Sequence, residues 1–338
     1  MGKKRILYID LMKGLSITWV VWFHTVHPDF VNYGFRMPLF FLASAIFFKP
    51  YPIKEFAEKK IYQIFIPYVV FYLLYYLFMI VSSRMSNDSF SHFDYSCILD
   101  VFKPYVRNGG PTVNPPLWFI MALMDLQFTL YILVKLIKSR TVLLLLSFVI
   151  SIVSIVWLTE VPTFFQFGRA MRYIFYYAFG YLYGKDIIKI IENGGRKSLW
   201  LFCACAVVFL SKFALQTVAM PTPVSTSLVY FQITALVILL IYLFRLCQHL
   251  WIMKPLKYFG ANSYIVLGMN EMILTSIRVW MEHHYGALNI PLGIANWLLT
   301  MCCLVPVIYF FNKKAPFLVG KENIFDTRLR RFKPLFRA

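Results

Sequence analysis

The chain has 338 residues, of which 60% are apolar and only 14% are charged, and its mean hydropathy is +0.65. Soluble globular chains are roughly 45–50% apolar and about 25% charged, so this composition favours a single membrane-embedded helical bundle over soluble domains. The net charge of +19 comes from short basic clusters between apolar runs. That pattern is typical of loops facing anionic lipid and argues against nucleic-acid binding.

Apolar runs long enough to cross a membrane follow one another along the chain, since about 20 residues span roughly 30 Å of hydrocarbon. They cover about 14–31, 34–49, 61–83, 117–137, 141–159, 170–188, 198–219, 226–248, 261–281 and 291–311. The sequence therefore predicts an all-α integral membrane protein with a bundle of about ten transmembrane helices. The first two runs also fit a short hairpin with His27, Pro28, Asp29 and Asn32 at its tip.

The distribution of lysine and arginine predicts the orientation of these spans. With the N-terminus inside, 26 of the 34 basic residues lie on inner segments and eight on outer ones. This bias predicts a multi-pass protein with both termini in the cytoplasm. It also places the loop 84–116 outside and divides the chain into a transmembrane domain, 1–312, and a basic cytoplasmic tail, 313–338, which we expect to lie on the inner leaflet.

Ionisable residues inside spans are costly and mark either function or helix pairing. On the first helix, Asp10 and Lys13 are three residues apart and share a face at its cytoplasmic end. His24 follows Lys13 by eleven residues, about three turns and 16 Å further along the same face. An imidazole at this depth is suited to accept a proton from a hydroxyl, although it also fits a histidine that simply bonds a neighbouring helix. His27 adds no metal-site pattern, and we expect no metal.

Further charged or polar residues lie in the later apolar runs. Arg36 opens the second run and is expected near His24 across the hairpin. Asp125 lies in the fourth run, and Asn270 and Glu271 lie in the ninth. Glu271 fits either an ion pair between helices or a substrate contact.

Other classes of site have little support. The sequence contains no GxSxG, P-loop or GxGxxG motif in a suitable context. A transporter or flippase of a lipid-linked sugar or small solute remains the alternative function, although Pro67 and Pro306 do not form the paired pattern of broken helices that many transporters show. A non-catalytic membrane sensor is a third reading.

Several segments together resemble the acyltransferase 3 family, integral membrane O-acyltransferases of sugars and related acceptors. The spacing of Lys13 and His24 is similar to the family's first-helix signature, a basic residue, ten residues and a histidine. The matching segments are Ile9–Ile17, Phe35–Phe48, Lys59–Tyr68, Pro116–Leu123, Phe175–Lys185 and Phe259–Asn270.

The resemblance implies an acyl-CoA donor, usually acetyl-CoA, that arrives from the cytoplasm, and a hydroxyl acceptor on a cell-envelope glycan or lipid-linked sugar. It implies polysaccharide modification by O-acetylation in a bacterial inner membrane. His24 takes the place of the general base and Lys13 that of the paired basic residue. Lys59 and Lys60 are expected to bind the CoA phosphates, and Arg36, Asn270 and Glu271 to contact substrate. Oligomeric state is left open.

The chain departs from the family pattern at three positions. Gln63 stands where a second arginine is common, Ala45 stands where glycine is common, and Asn270 stands near a position that often holds histidine. These departures bear on the strength of donor binding and on whether Glu271 serves in place of a histidine.

Overall fold

The computed structural model describes residues 6–25, 34–85, 94–106, 113–215, 218, 220–287 and 289–321. Within these ranges the chain forms α-helices joined by short 3-10 turns, and no β-strand beyond an isolated bridge between Tyr105 and Thr163. The helices are α1 (Leu7–Thr25), α2 (Arg36–Ala45), α3 (Ile53–Lys60), α4 (Ile66–Met85), α5 (Trp118–Leu136), α6 (Arg140–Val156), α7 (Phe167–Met171), α8 (Ile174–Asn193), α9 (Gly195–Leu215), α10 (Thr222–Cys247), α11 (Lys254–Ala261), α12 (Ser263–Tyr285) and α13 (Ile290–Lys314). The all-α prediction is confirmed.

Five helical stretches in the described part of the chain are long and apolar enough to cross a membrane. They are Ile53–Arg84, Pro115–Leu136, Gly195–Leu215, Thr222–Cys247 and Ile290–Lys314. Helices α1, α8 and α12 have 19, 20 and 23 residues, but their charged and polar side chains lower the hydropathy. The expectation of about ten spans is not confirmed and stays a prediction.

The chain divides into two compact units, and the first comprises Met1–Lys49, Pro104–Gly110 and Asp125–Ser263. Here α1 packs against α2, α10 and α11, while α2 lies on α8 and α9 lies on α10. Fully buried side chains such as those of Met12, Leu39 and Ile241 form its core. The tip of the expected first hairpin, His27 to Asn32, lies outside the described residues.

Helices α1 and α11 approach unusually closely in the first unit because glycine faces backbone on both sides. A Cβ added at Gly14 would lie 2.0 Å from the Leu256 carbonyl oxygen, and one at Gly260 would lie 1.9 Å from the Asp10 oxygen. Small residues permit such contacts between membrane helices, where dispersion contributes much of the packing energy. The crossing therefore fixes the position of the α1 segment that carries Lys13.

The second unit comprises Pro50–Lys103, Pro111–Met124 and Tyr264–Ala338. Its central element is the long helical stretch formed by α3, a π-helical segment over Ile61–Phe65 and α4. The Phe71 ring fills the space beside Gly268 of α12 and also packs against Phe311 of α13, with ring centroids 5.6 Å apart. These aromatic contacts hold α12 and α13 against α4.

The segments that flank this helix are tied to it by hydrogen bonds and close packing. Tyr72 donates to the Cys97 carbonyl at 2.8 Å, which anchors the 3-10 turn Tyr95–Phe102. After α13, a second turn, Pro316–Val319, leads to Gly320, which packs against the carbonyl of Tyr62. Helix α13 runs two residues into the segment 313–338, and residues 322–338 of that expected tail lie outside the described ranges.

Candidate active site

Lys13 and His24 lie on one uninterrupted helix, α1, and both side chains are half-buried. Eleven residues at about 100° each bring the two within about 20° of each other around the helix axis, and they are about 16 Å apart along it. Nothing between them is a proline, and α1 keeps its α-helical hydrogen bonding from Leu7 to Thr25. The two side chains therefore mark opposite ends of one helix face.

The Lys13 ammonium is held between two aromatic rings of the neighbouring chain segment. Its Nζ lies 5.6 Å from the ring centroid of Phe40 on α2 and 5.7 Å from that of Phe47, just after α2. Aromatic faces attract cations, and more strongly where water is excluded. The two rings therefore restrict the ammonium without neutralising its charge.

Arg36 reaches the His24 end of the same helix. Ser16 of α1 donates a hydrogen bond of 2.7 Å to the Arg36 carbonyl, which fixes the start of α2 beside α1. The Arg36 guanidinium carbon then lies 4.0 Å from the ring centroid of Phe23, the residue before His24. The Phe23 ring also meets the His24 imidazole edge-on, with ring centroids 5.6 Å apart. One aromatic ring therefore contacts both polar groups.

The remaining residues proposed from the sequence belong to the second unit, which holds Lys59, Lys60, Asn270 and Glu271. Lys59 forms an ion pair with Glu55 at 2.5 Å, and its ammonium lies 3.5 Å from the centroid of the Tyr51 ring. Lys60 lies 5.3 Å from the Phe56 ring and has no carboxylate partner among the ion pairs of the described residues. The two lysines therefore differ, because the Glu55 carboxylate offsets the charge of Lys59 alone.

The helix changes geometry directly after these lysines. Residues 61–65 form a π-helical turn, in which the exposed Gln63 side chain stands. Single π-turns within α-helices are rare and occur often at functional sites. The sequence did not reveal this feature, because nothing in the local composition distinguishes a π-turn from a continuous α-helix.

A strip of polar groups runs along α12 in the interior of the second unit. Asn270 is fully buried, and its Oδ1 accepts from the Glu271 backbone N–H at 2.7 Å. Its Nδ2 and one carboxylate oxygen of Glu271 are buried without a hydrogen-bond partner within the described ranges. The Tyr75 hydroxyl bonds Thr275 and lies within electrostatic reach of Glu271. Buried polar atoms without partners are costly in a folded protein and are typical of sites that bind polar ligands.

Asn114 extends this strip and was missed as a site residue. Its amide donates to the Gly268 carbonyl at 2.9 Å, while its Oδ1 is buried and has no partner among the described residues. Its backbone has φ = 50°, in the left-handed region that asparagine tolerates better than most residues. A run such as Asn114-Pro115-Pro116 is typical of a turn, but the burial of Asn114 against α12 depends on long-range packing.

Asn296 is a second buried amide that was not among the predicted site residues. It is fully buried on α13, and its Oδ1 accepts from Thr300 at 3.2 Å. A signal did exist, because two polar residues four apart lie inside an otherwise apolar run. As for metals, the described residues contain no group of three or more His, Cys, Asp or Glu side chains that could hold an ion.

A family model described as an acyltransferase domain, that of acyltransferase 3, matches residues 6–312. The chain belongs to the acyltransferase 3 family. The match covers nearly the whole chain and confirms the resemblance seen in the sequence motifs. No curated protein and no solved structure matches the sequence.

Membership defines the general chemistry of the protein. It is a membrane acyltransferase, an enzyme that takes an acyl group from a donor and passes it to an acceptor. The apolar helices and the family together place it in a membrane. This finding favours the enzyme over the transporter and sensor readings.

Proposed function

We propose that this acyltransferase moves an acetyl group from acetyl-CoA to a hydroxyl of a cell-envelope glycan or a lipid-linked sugar, with His24 as the general base. The observation that supports it best is the first-helix arrangement: a histidine and a lysine on one face of α1, with the Arg36 guanidinium stacked on the ring that borders His24. The proposal includes O-acetylation of a polysaccharide, about ten spans, a bacterial inner membrane and both termini in the cytoplasm.

Bound acyl-CoA supplies an activated thioester carbonyl. In the proposed reaction His24 takes the proton from the acceptor hydroxyl as its oxygen forms a bond to that carbonyl carbon. The carbon–sulfur bond breaks, and His24 returns the proton to the departing sulfur. The products are an O-acyl ester and free CoA thiol, and His24 ends in its starting protonation state.

The cations take separate roles in this proposal. Lys60 and Lys59 would bind the phosphates of the donor. For Lys59, the phosphates would compete with the Glu55 carboxylate. Lys13 would serve as the paired basic residue of the first-helix signature, and the rings of Phe40 and Phe47 restrict its ammonium. Arg36, beside His24, would contact an anionic acceptor or orient His24.

The buried amides would bind the acceptor. Asn270 and Glu271 present polar atoms without partners in the described chain, and sugar hydroxyls both donate and accept hydrogen bonds. Near the position of Asn270, where the family often carries a histidine, this chain would use the Asn270 amide or Glu271. This assignment rests on burial and hydrogen bonding, and the departure at Asn270 makes it specific to this chain.

The test is release of CoA thiol from acetyl-CoA, together with transfer of labelled acetyl, in membranes of cells that produce the protein. We expect His24→Ala to lower the rate about 10²–10⁴-fold, the usual contribution of general-base catalysis. His249→Ala removes an exposed histidine and is the matched control, expected to keep the wild-type rate. Release that survives in His24→Ala would reject His24 as the base. Absence of both release and acetyl-CoA binding would reject the donor and favour a transporter.

A further inference from the structure

A basic cleft lies in the first unit, apart from the candidate active site. It opens between the end of α5, the start of α6 and the middle of α8, and its volume is about 470 Å³. Three cationic side chains, Lys138, Arg140 and Lys185, line it together with one carboxylate, Asp186. None of these residues was assigned to acyl transfer above.

The charge in the cleft is unbalanced in favour of cations. Among the residues that the structure describes, Asp186 pairs only with Arg140, at 3.7 Å, and these side chains are 64% and 67% exposed. An exposed pair at this distance is weak and exchanges readily with water. Lys138 and Lys185 are exposed beside it, so the cleft keeps a net positive charge that attracts a phosphate or another anion.

The backbone adds to this positive character. Ser139 caps α6, since its Oγ accepts from the Val142 N–H at 3.4 Å, and Arg140 is the first helical residue. The N-terminus of this 17-residue helix carries a partial positive charge. The positive end of α6 and the cationic side chains therefore lie at the same cleft.

Apolar side chains also line the cleft, and it lies at the end of a candidate membrane span. Val134, Ile137, Leu143 and Leu182 line it beside the charges. The span that contains α5 ends at Leu136, so the cleft begins in the last turn of a span, where lipid headgroups meet the acyl chains. A free phosphate would use only the charged residues of such a cleft, whereas a lipid also uses the apolar ones.

We propose that this cleft binds the phosphate headgroup of an anionic phospholipid, with the first part of its acyl chains against the apolar lining residues. Basic pockets between membrane helices at the headgroup level are suited to such lipids. The lysines and Arg140 contact the phosphate, and the Tyr181 hydroxyl, which also lines the cleft, is placed to donate a hydrogen bond. The site is independent of acetyl transfer.

The test measures binding of dioctanoyl phosphatidylglycerol to the full-length protein in detergent. Dioctanoyl phosphatidylcholine tests whether the site requires an anionic headgroup. Glycerol 3-phosphate and CoA test whether a soluble phosphate displaces the lipid. We expect Lys138→Gln/Lys185→Gln to weaken phosphatidylglycerol binding about 30-fold, since each lysine near an anionic surface contributes about fivefold. The control, Lys313→Gln/Lys314→Gln, removes two exposed charges at the end of α13 and is expected to leave binding unchanged.

Asp186→Asn is a second variant, for which we expect the opposite change in phosphatidylglycerol affinity. It removes the one carboxylate among the described residues that line the cleft, so it should tighten phosphatidylglycerol binding. It also keeps the proposal testable if the double variant fails to fold. Phosphatidylcholine binding as tightly as phosphatidylglycerol would overturn the proposal, as would an equal loss in the control. Displacement of the lipid by glycerol 3-phosphate or CoA would assign the cleft to a soluble phosphate instead. The readout is binding, so its failure is separate from failure of the proposed acetyl transfer.

Discussion

Adding a methyl group at Gly260 tests the close crossing of α1 and α11. A Cβ there would lie 1.9 Å from the Asp10 oxygen and 2.7 Å from the Gly14 nitrogen. Carbon and oxygen atoms normally approach no closer than about 3.3 Å, so the helices must separate by more than about 1 Å. Both obstructing atoms belong to backbone, which cannot rotate away as a side chain does.

The energetic cost follows from two opposing effects. Overpacking of this kind costs about 3 kcal/mol, at the upper end of the usual range. Alanine regains about 1 kcal/mol over glycine inside a helix. We therefore expect Gly260→Ala to destabilise the protein by about 2 kcal/mol, which corresponds to a fall of about 5 °C in the midpoint of thermal unfolding in detergent.

Activity provides the second readout for this variant. Since α1 carries Lys13 and His24, a displacement of about 1 Å can lower the acyl-transfer rate by about 100-fold. Gly168→Ala is the control, because its backbone has no positive φ and the atom nearest to its Cβ would be the Thr163 side-chain oxygen, at 3.2 Å. Unfolding of Gly260→Ala at the same temperature as the control, with wild-type activity, would refute the close crossing.

Two further substitutions probe one unit each. Arg36→Lys keeps the charge but loses the planar stacking on the aromatic ring, so we expect about tenfold slower acyl transfer with little change in unfolding temperature, measured by CoA release. Wild-type kinetics in that variant would show that a positive charge alone suffices. Asn114→Ala removes the buried bond to the Gly268 carbonyl and should cost about 2 kcal/mol in thermal unfolding. Asn114→Gly loses the same bond but tolerates the positive φ, so it should be the less destabilised variant, and the reverse order would contradict the assigned backbone strain.

Several features of the protein followed from local sequence pattern. The apolar runs predicted an all-helical membrane protein, and the spacing of Lys13 and His24 predicted that they share one helix face. Both inferences depend on helical periodicity and on chain length relative to bilayer thickness. The motifs around these residues also identified the family. Such local properties can be read from a single sequence because neighbouring residues decide them.

The number of spans is harder to predict from the sequence. Helices such as α1 and α12 are long enough to cross a membrane, but their polar and charged residues lower their hydropathy. The run 34–49 illustrates the difficulty. It is long enough to resemble a span, yet α2 ends at Ala45 after ten residues, and a new helix begins at Ile53. Charged residues that would be unfavourable in lipid are tolerated when another helix covers them, and that cover is not visible in the sequence.

The sequence by itself determined the helical membrane class, the family and the spacing along α1, because these depend on residues within a few turns of one another. Only the tertiary structure showed the glycine crossing at Gly260, the buried amide of Asn114 and the basic cleft, in which Lys138 and Lys185 stand 47 positions apart in the printed sequence. Such groups meet only when separate helices pack, and the packing energy is spread over many apolar contacts that no short motif encodes.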